Sequence, residues 1–202
     1  MRYSAVMDKT NYTMQVELWD GYSQEFVLKR PNIEQAVEIF KIIELIGDRN
    51  LDNQAVNELC KIDFVLSMIE SPDKVTAKEI LESIAFLPRQ LLAEIVAIEN
   101  KGEATVEKQD LKTITYKVLL DGKEYVLTCT RFAAKTLHLI LNQESEKSTK
   151  NLVEQFVGSL ADQSSRDVYT EIVKTSPFTV LLLANKLLAA ATAKVQSEKK
   201  RQ

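Results

Sequence analysis

The chain contains one histidine, His138, so a histidine-pair metal site or a Ser-His-Asp triad would have to be built around that residue. No Cys, Asp or Glu stands near it at ligand spacing, and we interpret it as a helix-surface residue. The five glycines form neither G-x-x-x-x-G-K-S/T nor G-x-G-x-x-G, which removes the two commonest nucleotide-binding motifs. We therefore expect no metal and no cofactor.

Cysteine is also scarce, and the chain has no excess of positive charge. The two cysteines, Cys60 and Cys129, fall in different candidate domains, which favours buried, reduced thiols over a disulfide framework. A net charge of −3 provides no general basic field for a polyanion, so nucleic acid is not an expected partner.

Long apolar runs are absent as well. The most apolar stretch, residues 178–193, is interrupted by Asn185 and Lys186. It is shorter than the roughly 18 to 20 apolar residues that a membrane span needs. The first eight residues lack the apolar core of a signal peptide. These features predict a soluble, cytoplasmic protein that does not bind membranes.

Two similar stretches organise the chain, residues 16–28 and residues 118–127. In both, Asp-Gly separates runs rich in β-branched and aromatic residues, and Asp-Gly tolerates the positive φ that a two-residue hairpin turn requires. Residues 79–86 resemble residues 171–178 in the same way, each leading into a leucine-rich helix. We interpret this as a diverged tandem duplication. It predicts an α+β fold, mainly helical, with hairpin-plus-helices units at 1–105 and 106–202.

In the first unit, residues 1–10 are expected to be a loose lead-in to a hairpin that ends at Arg30-Pro31. Asn32 and Gln35 then predict a capped helix that Gly47 closes. A second helix is expected over 52–70, and a third opening at a capping box of Thr76 and Glu79.

Proline and glycine mark the later boundaries. Pro88 predicts a break near Leu87, and Lys101-Gly102 is expected to stop the following helix. The charged residues 103–110 are expected to be the seam between the copies, and residues 143–148 a solvated connector. Ser176 and Pro177 predict the N-cap and first residue of a last helix that runs to about Val195.

Acidic pairs are weak candidates for catalysis. Glu79 with Glu82, and Glu144 with Glu146, are better interpreted as a helix start and a connector. The lone Trp19 beside the first turn is either an exposed anchor or half-buried packing. Apolar residues spread around more than one face of the last helix, so that it is either wrapped by the chain or left with a partner surface. The candidate partner-binding residues are therefore Trp19, Phe178, Leu182, Leu183 and Leu187.

The stretch 118–127 followed by a helix is similar to the opening of small tail-assembly and baseplate-assembly chaperones of tailed bacteriophages. Residues 16–46 are a weaker version of the same pattern, and the helical ends at 83–98 and 176–188 resemble the helical remainder of such proteins. The resemblance implies a non-enzymatic factor that holds an aggregation-prone tail component during assembly, in the host cytoplasm. It assigns no functional residue.

We thus expect a non-enzymatic protein-interaction or assembly factor that binds a protein partner or a second copy of itself. A duplicated module without polar catalytic clusters offers surfaces and not a pocket. The alternative is a regulatory domain or an enzyme with a dispersed site of Asp, Glu, Lys and Arg. If the last helix is a partner surface, replacing Leu183 and Leu187 with serine should weaken association and leave the hairpins folded.

Overall fold

The computed structural model describes residues 3–7, 11–18, 21–46, 55, 58, 60–84, 86–99, 102–142 and 145–199. The chain divides into two compact units. Unit 1 comprises Met1–Pro31 with Glu38–Ile98, and unit 2 comprises Asn32–Val37 with Glu99–Gln202. More than half of the described residues lie in helices, so the expectation of a mainly helical α+β fold is confirmed.

Unit 1 contains a four-stranded antiparallel sheet with strand order β1-β2-β3-β4. Its strands are β1 (Tyr3–Met7), β2 (Asn11–Glu17), β3 (Ser23–Lys29) and β4 (Ile69–Ser71). The expected hairpin is confirmed as β2 and β3, in which buried and less buried residues alternate along β2. The loose lead-in is wrong, because residues 3–7 form β1 and pair with β2.

The turn of this first hairpin is longer than two residues. β2 ends at Glu17 and β3 begins at Ser23, and the Leu18 amide donates to the Tyr22 carbonyl at 2.6 Å. Gly21 takes the positive φ of 75° that the turn requires. Trp19 and Asp20 lie outside the described residues.

The named helices between β3 and Glu103 are α1 (Ile33–Ile46), α2 (Ile62–Met68), α3 (Lys74–Ser83) and α4 (Leu87–Glu99). The first residues of α1, up to Val37, belong to unit 2. The predicted capping box of α1 is confirmed, since the Gln35 amide donates to Asn32 Oδ1 at 2.8 Å and the Asn32 amide donates to Gln35 Oε1 at 3.0 Å. The closing residue, Gly47, lies outside the described part of the chain.

Two boundaries in this unit differ from the prediction. The helix expected to reach residue 70 ends at Met68, because Ile69–Ser71 pairs with β3 as β4. The next helix is capped by Asp73 and not by Thr76: Asp73 Oδ1 accepts the amides of Val75 and Thr76. The carboxylate of Asp73, one residue after Pro72, therefore starts this helix.

The break near Leu87 is confirmed. Helix α3 ends at Ser83 and α4 begins at Leu87, which places Pro88 in the first turn, where a missing amide costs nothing. Phe86, in the break, has a φ of 65°. Along α4, Leu91, Leu92 and Ile95 are buried and Ile98 is half-buried.

Unit 2 contains a three-stranded antiparallel sheet with strand order β5-β6-β7. The strands are β5 (Glu103–Gln109), β6 (Thr113–Leu120) and β7 (Lys123–Thr130). The second hairpin is confirmed as β6 and β7. Residues 103–109, within the stretch expected to be the seam between the copies, form the edge strand β5. The boundary at 105/106 stays a prediction.

The turn between β6 and β7 has two residues, as Asp-Gly predicts. Asp121 and Gly122 have φ values of 50° and 74°, and positive φ at both positions matches the right-handed twist of the flanking strands. On one face of the hairpin, side chains from both strands are buried, namely Ile114, Tyr116, Val118, Leu120, Tyr125, Leu127 and Cys129.

The described helices of unit 2 after the sheet are α5 (Ala134–Leu141), α6 (Ser145–Gly158), α7 (Gln163–Thr175) and α8 (Pro177–Lys199). The solvated connector at 143–148 is wrong in its second half, because α6 begins at Ser145. The start of the last helix is confirmed: the Thr179 amide donates to the Ser176 carbonyl at 3.1 Å, and Pro177 is the first helical residue. Its end lies at Lys199, beyond the expected Val195.

Gly102 has a steric role that differs from the predicted one. Helix α4 is described as far as Glu99, Lys101 lies outside the described residues, and Gly102 is not among the residues with positive φ. A Cβ at Gly102 would overlap the side-chain oxygen of Thr179, which donates a hydrogen bond to Ser176 Oγ at 3.0 Å. Glycine is needed here because the backbone passes directly over the start of α8.

Helix α8 is wrapped by its own unit. It packs against α5, α6, α7 and β5. Phe178, Leu183 and Leu187 are buried and Leu182 is half-buried, so three of the four candidate partner residues on this helix belong to the core. A helix with apolar residues on several faces is stable in water when neighbours cover those faces.

This burial changes the expected result of replacing Leu183 and Leu187 with serine. Each substitution removes a fully buried side chain and should cost about 2–5 kcal/mol, against a typical total stability of about 5–15 kcal/mol. We expect the double variant to lose the cooperative thermal transition of unit 2 in circular dichroism. The exposed Leu111, replaced with serine, is the control. If the double variant instead keeps its fold and associates more weakly, the hypothesis that this helix is a partner surface is supported.

Both units begin with a three-stranded antiparallel meander, β1-β2-β3 and β5-β6-β7, and both contain a pair of helices in which the second has proline in its first turn. These shared features agree with a tandem duplication. Descent from one ancestral unit stays a prediction.

Candidate functional site

The outer edge of β7 is half covered. At its C-terminal half, the Thr130 amide donates to the Ser159 carbonyl at 2.7 Å and the Ala161 amide donates to the Thr128 carbonyl at 2.9 Å. Leu160 thereby forms an antiparallel bridge with Cys129. The Thr128 amide donates to the Ser165 hydroxyl at 3.0 Å, so that the start of α7 ends this cover.

Ser165 is held in place by the cap of its own helix. Its amide donates to Asp162 Oδ1 at 2.7 Å, and the hydrogen bonds from Ser165 keep the pKa of the Asp162 carboxyl below its usual value. The chain turns away from β7 at this point, because a helix cannot continue the pairing of a strand. The cap therefore determines where the cover of β7 stops.

The N-terminal half of β7 has a free edge. The backbone N–H and C=O groups of Thr128 and Thr130 point away from β6. Because this direction alternates along a strand, the backbone groups of Glu124 and Val126 also point away from β6. Within the described part of the chain, no hydrogen bond reaches these outward groups of Glu124 and Val126. Two donors and two acceptors are thus exposed in a row.

An open cleft of about 440 Å³ lies beside this free edge, between β7 and α7. Its volume is within the range of small-ligand and peptide pockets. The Lys123 ammonium lies 4.9 Å from the centre of the Tyr125 ring, a cation–π distance. The lining residues are Lys123, Tyr125, Asp167, Val168, Thr170 and Glu171.

The two carboxylates of the cleft stand one helical turn apart on α7. Asp167 Oδ1 accepts a hydrogen bond from Gln163 Nε2 at 2.9 Å, and Glu171 Oε1 lies 3.2 Å from Lys174 Nζ. Each carboxylate is held by a neighbour on its own helix, and both side chains are exposed to solvent. This arrangement suits recognition of a charge at the cleft mouth. It does not place the two carboxylates on one reacting atom.

The solvent-facing side of the same sheet carries two exposed apolar side chains. Leu119 and Val126 are 45 % and 43 % exposed, on neighbouring strands. Between them, Lys117 Nζ and Glu124 Oε2 form an ion pair at 2.7 Å. A flat sheet face of this composition, continuous with a free edge, offers contact area to a protein chain.

A buried polar cluster lies on the opposite face of the sheet. The Tyr116 hydroxyl is fully buried and has no hydrogen-bond partner in the described structure. Burial raises the pKa of Tyr116 to about 12. Burial also raises the pKa of Cys129 to about 12, although a hydrogen bond with Ser159 lowers it slightly. Both side chains are buried, and the loss of hydration disfavours their ionised forms.

The remaining candidate residues are dispersed. The cysteines are unpaired and buried, as predicted. His138 is exposed on α5 beside Asn142, and Glu79 and Glu82 are exposed on α3. Trp19 lies outside the described residues, so its partner role stays a prediction. In the described ranges there is no cluster of three metal-ligating side chains and no helix long and apolar enough to cross a membrane.

The cleft is not apparent from the sequence. Lys123 and Tyr125 belong to the predicted hairpin, and no local pattern connects them to Asp167 and Glu171. The available signal was the spacing of Asp167 and Glu171, which puts both carboxylates on one face of a helix. Their position beside β7 depends on residues 159–165, whose pairing no local pattern indicates.

Comparison with known proteins adds no relative. Neither a family model, nor a curated protein, nor a solved structure matches the chain.

The unpartnered hydroxyl of Tyr116 gives a prediction of stability. Replacing Tyr116 with phenylalanine removes a buried oxygen whose desolvation is uncompensated, and should raise the free energy of unfolding by about 1–3 kcal/mol. Urea denaturation measures the difference. The exposed Tyr22, replaced with phenylalanine, should leave it unchanged. A loss of stability in Y116F would show that the hydroxyl has a partner.

Alkaline pH gives a second prediction. The pKa of Cys129 rises on folding from 9.0 to about 12 and that of Tyr116 from 10.0 to about 12, so above pH 9 the unfolded chain binds fewer protons than the folded one. The contribution of these two groups to the free energy of unfolding should be fully present below pH 9. It should fall between pH 9 and 12, by at most about 1.4 kcal/mol per pH unit for each proton. Denaturation of the C129A variant should show a shallower fall. If the free energy of unfolding of C129A falls with pH as steeply as that of the natural protein, Cys129 does not have the raised pKa.

Proposed function

We propose that the protein is a non-enzymatic protein-interaction factor that binds its partner at the free edge of β7. The observation that supports it is the pair of residues, Glu124 and Val126, whose outward backbone groups are exposed beside an open cleft. An unpaired strand edge is a template for pairing with another chain, and proteins that do not use such an edge usually protect it.

An assembly role is the specific form of this proposal. It follows from the resemblance to tail-assembly and baseplate-assembly chaperones of phages, whose clients would be aggregation-prone tail components. Exposed apolar side chains at Leu119 and Val126 support binding of such a client, because they offer it apolar surface next to hydrogen-bonding groups.

The alternative of an enzyme with a dispersed acidic and basic site receives less support. The cleft does contain Lys123, Asp167 and Glu171, but the cleft is open, and each carboxylate is engaged along its own helix. A catalytic pair would need to converge on one substrate atom within hydrogen-bond reach.

A site-specific cross-linking experiment tests the proposal. A photoreactive amino acid replaces Leu119 on the exposed sheet face of unit 2, or Val75, which is 70 % exposed in unit 1, in the full-length protein. After illumination in lysate of the cells that naturally make the protein, we expect one protein, in near-stoichiometric amount, to be linked at Leu119 and not at Val75. Mass spectrometry identifies the linked protein, including a second copy of this chain.

Two results would refute the proposed function. One is the absence of a linked protein at either position. The other is linkage in equal amounts at Leu119 and Val75, since nonspecific binding does not discriminate between the two positions.

A further inference from the structure

The free edge of β7 continues a strand pairing that the chain itself begins. Ser159 to Ala161 lie antiparallel to the C-terminal half of β7, and the chain leaves for α7 before it reaches Val126. The unoccupied positions along the edge are those of Val126 and Glu124. A peptide placed there in the same direction would extend the sheet by one strand, at the usual spacing of about 4.8 Å.

We infer that the partner inserts an extended segment, antiparallel to β7, in which a single Lys or Arg lies between two apolar residues. This inference rests on the proposed function and specifies its ligand. In an antiparallel pair, the two residues opposite Glu124 and Val126 exchange backbone hydrogen bonds with them. The residue between them lies opposite Tyr125, and its side chain points to the same face as Tyr125, into the cleft.

The walls of the cleft select the central side chain. The Tyr125 ring and Val168 provide apolar contact for an aliphatic stem, and Asp167 and Glu171 provide two carboxylates on the α7 side. The one cation of the lining, Lys123, lies over Tyr125 on the β7 side. A long side chain with a cationic head satisfies both regions, with its stem on the ring and its charge beside α7.

The flanking side chains of the segment meet a different surface. They lie on the solvent-facing side of the sheet, one of them opposite Val126, which is 43 % exposed, and the other opposite Glu124. Apolar β-branched residues suit these positions, because cross-strand apolar pairs stabilise a sheet. The recognised pattern is therefore apolar, basic, apolar in an extended conformation.

The opposite edge of this sheet is irregular. The pairing of β5 with β6 shifts register between Val106 and Lys108, whereas β7 pairs with β6 in one continuous register. A bulge on an edge strand is a device that hinders pairing with another chain. The regular edge of β7 is therefore the better template for an added strand.

Synthetic peptides test the inference with the full-length protein. The probe is acetyl-Ser-Val-Lys-Val-Ser-amide with a fluorescent label, and the comparison peptide has Glu in place of Lys. Fluorescence anisotropy gives the affinity, and two-dimensional NMR identifies the amides that shift. We expect the Lys peptide to shift the amides of Glu124 and Val126 and to bind at least about tenfold more tightly than the Glu peptide.

Variants at Val126 distinguish backbone pairing from nonspecific binding. Val126→Pro removes an amide that faces away from β6 and therefore leaves the internal ladder intact, whereas Val126→Thr keeps that amide. We expect V126P to bind the Lys peptide about tenfold more weakly and V126T to bind it within about twofold of the natural protein. The double variant D167N/E171Q should lose the preference for Lys over Glu.

Modified peptides keep the test valid if V126P fails to fold. N-methylation of both valines blocks the amides that would face β7, and N-methylation of the lysine blocks an amide that faces away. We expect the first modification to weaken binding about tenfold and the second to have little effect. Equal loss from the two modifications, no shift at Glu124 and Val126, or no saturable binding would overturn the inference.

This experiment and the cross-linking experiment can fail separately. If a partner is linked at Leu119 but the peptide does not bind at β7, the protein is an interaction factor that uses a different recognition mode. If the peptide binds but no partner is linked, the site recognises extended chains and the proposed cellular function is wrong.

Discussion

The hydrogen bonds between the C-terminal half of β7 and residues 159–165 determine the form of unit 2. They fasten the start of α7 to the sheet at Thr128, and the cap of α7 at Asp162 makes the chain leave the strand there. The cleft and the free backbone groups both follow from this single departure. A strand that stayed paired over its full length would leave no edge for a partner, and a helix fastened further along would close the cleft.

The two units reach stability with the same elements in a similar order. Each has an antiparallel meander, one helix whose start is capped by an aspartate and a following helix with proline in its first turn. In unit 1, β4 pairs with β3 at Val27 and Leu28, near the C-terminal end of that strand. In unit 2, Leu160 pairs with Cys129 near the C-terminal end of β7.

The chemistry of the site agrees with recognition. Its charged groups lie at the mouth of an open cleft, while the groups with strongly raised pKa, Tyr116 and Cys129, are enclosed in the core. Reactive sites show the reverse arrangement, in which perturbed groups face the substrate. In the proposed binding mode, backbone pairing would supply affinity that does not depend on sequence, and the carboxylates of α7 would supply selectivity.

Local patterns in the sequence determined the hairpins, the Asp121-Gly122 turn, the cap at Asn32, the break before Pro88 and the start of α8, because each depends on residues within a few positions of one another. The strands β1 and β5 escaped prediction, since a short or charged edge strand has no strong alternation and is specified by its neighbour in the sheet. Burial of α8 was one of two interpretations that its sequence allowed, and packing within unit 2 decided between them. The cleft beside β7 was decided by tertiary structure alone, because it joins Lys123 and Tyr125 to Asp167 and Glu171 through hydrogen bonds between residues far apart in the chain.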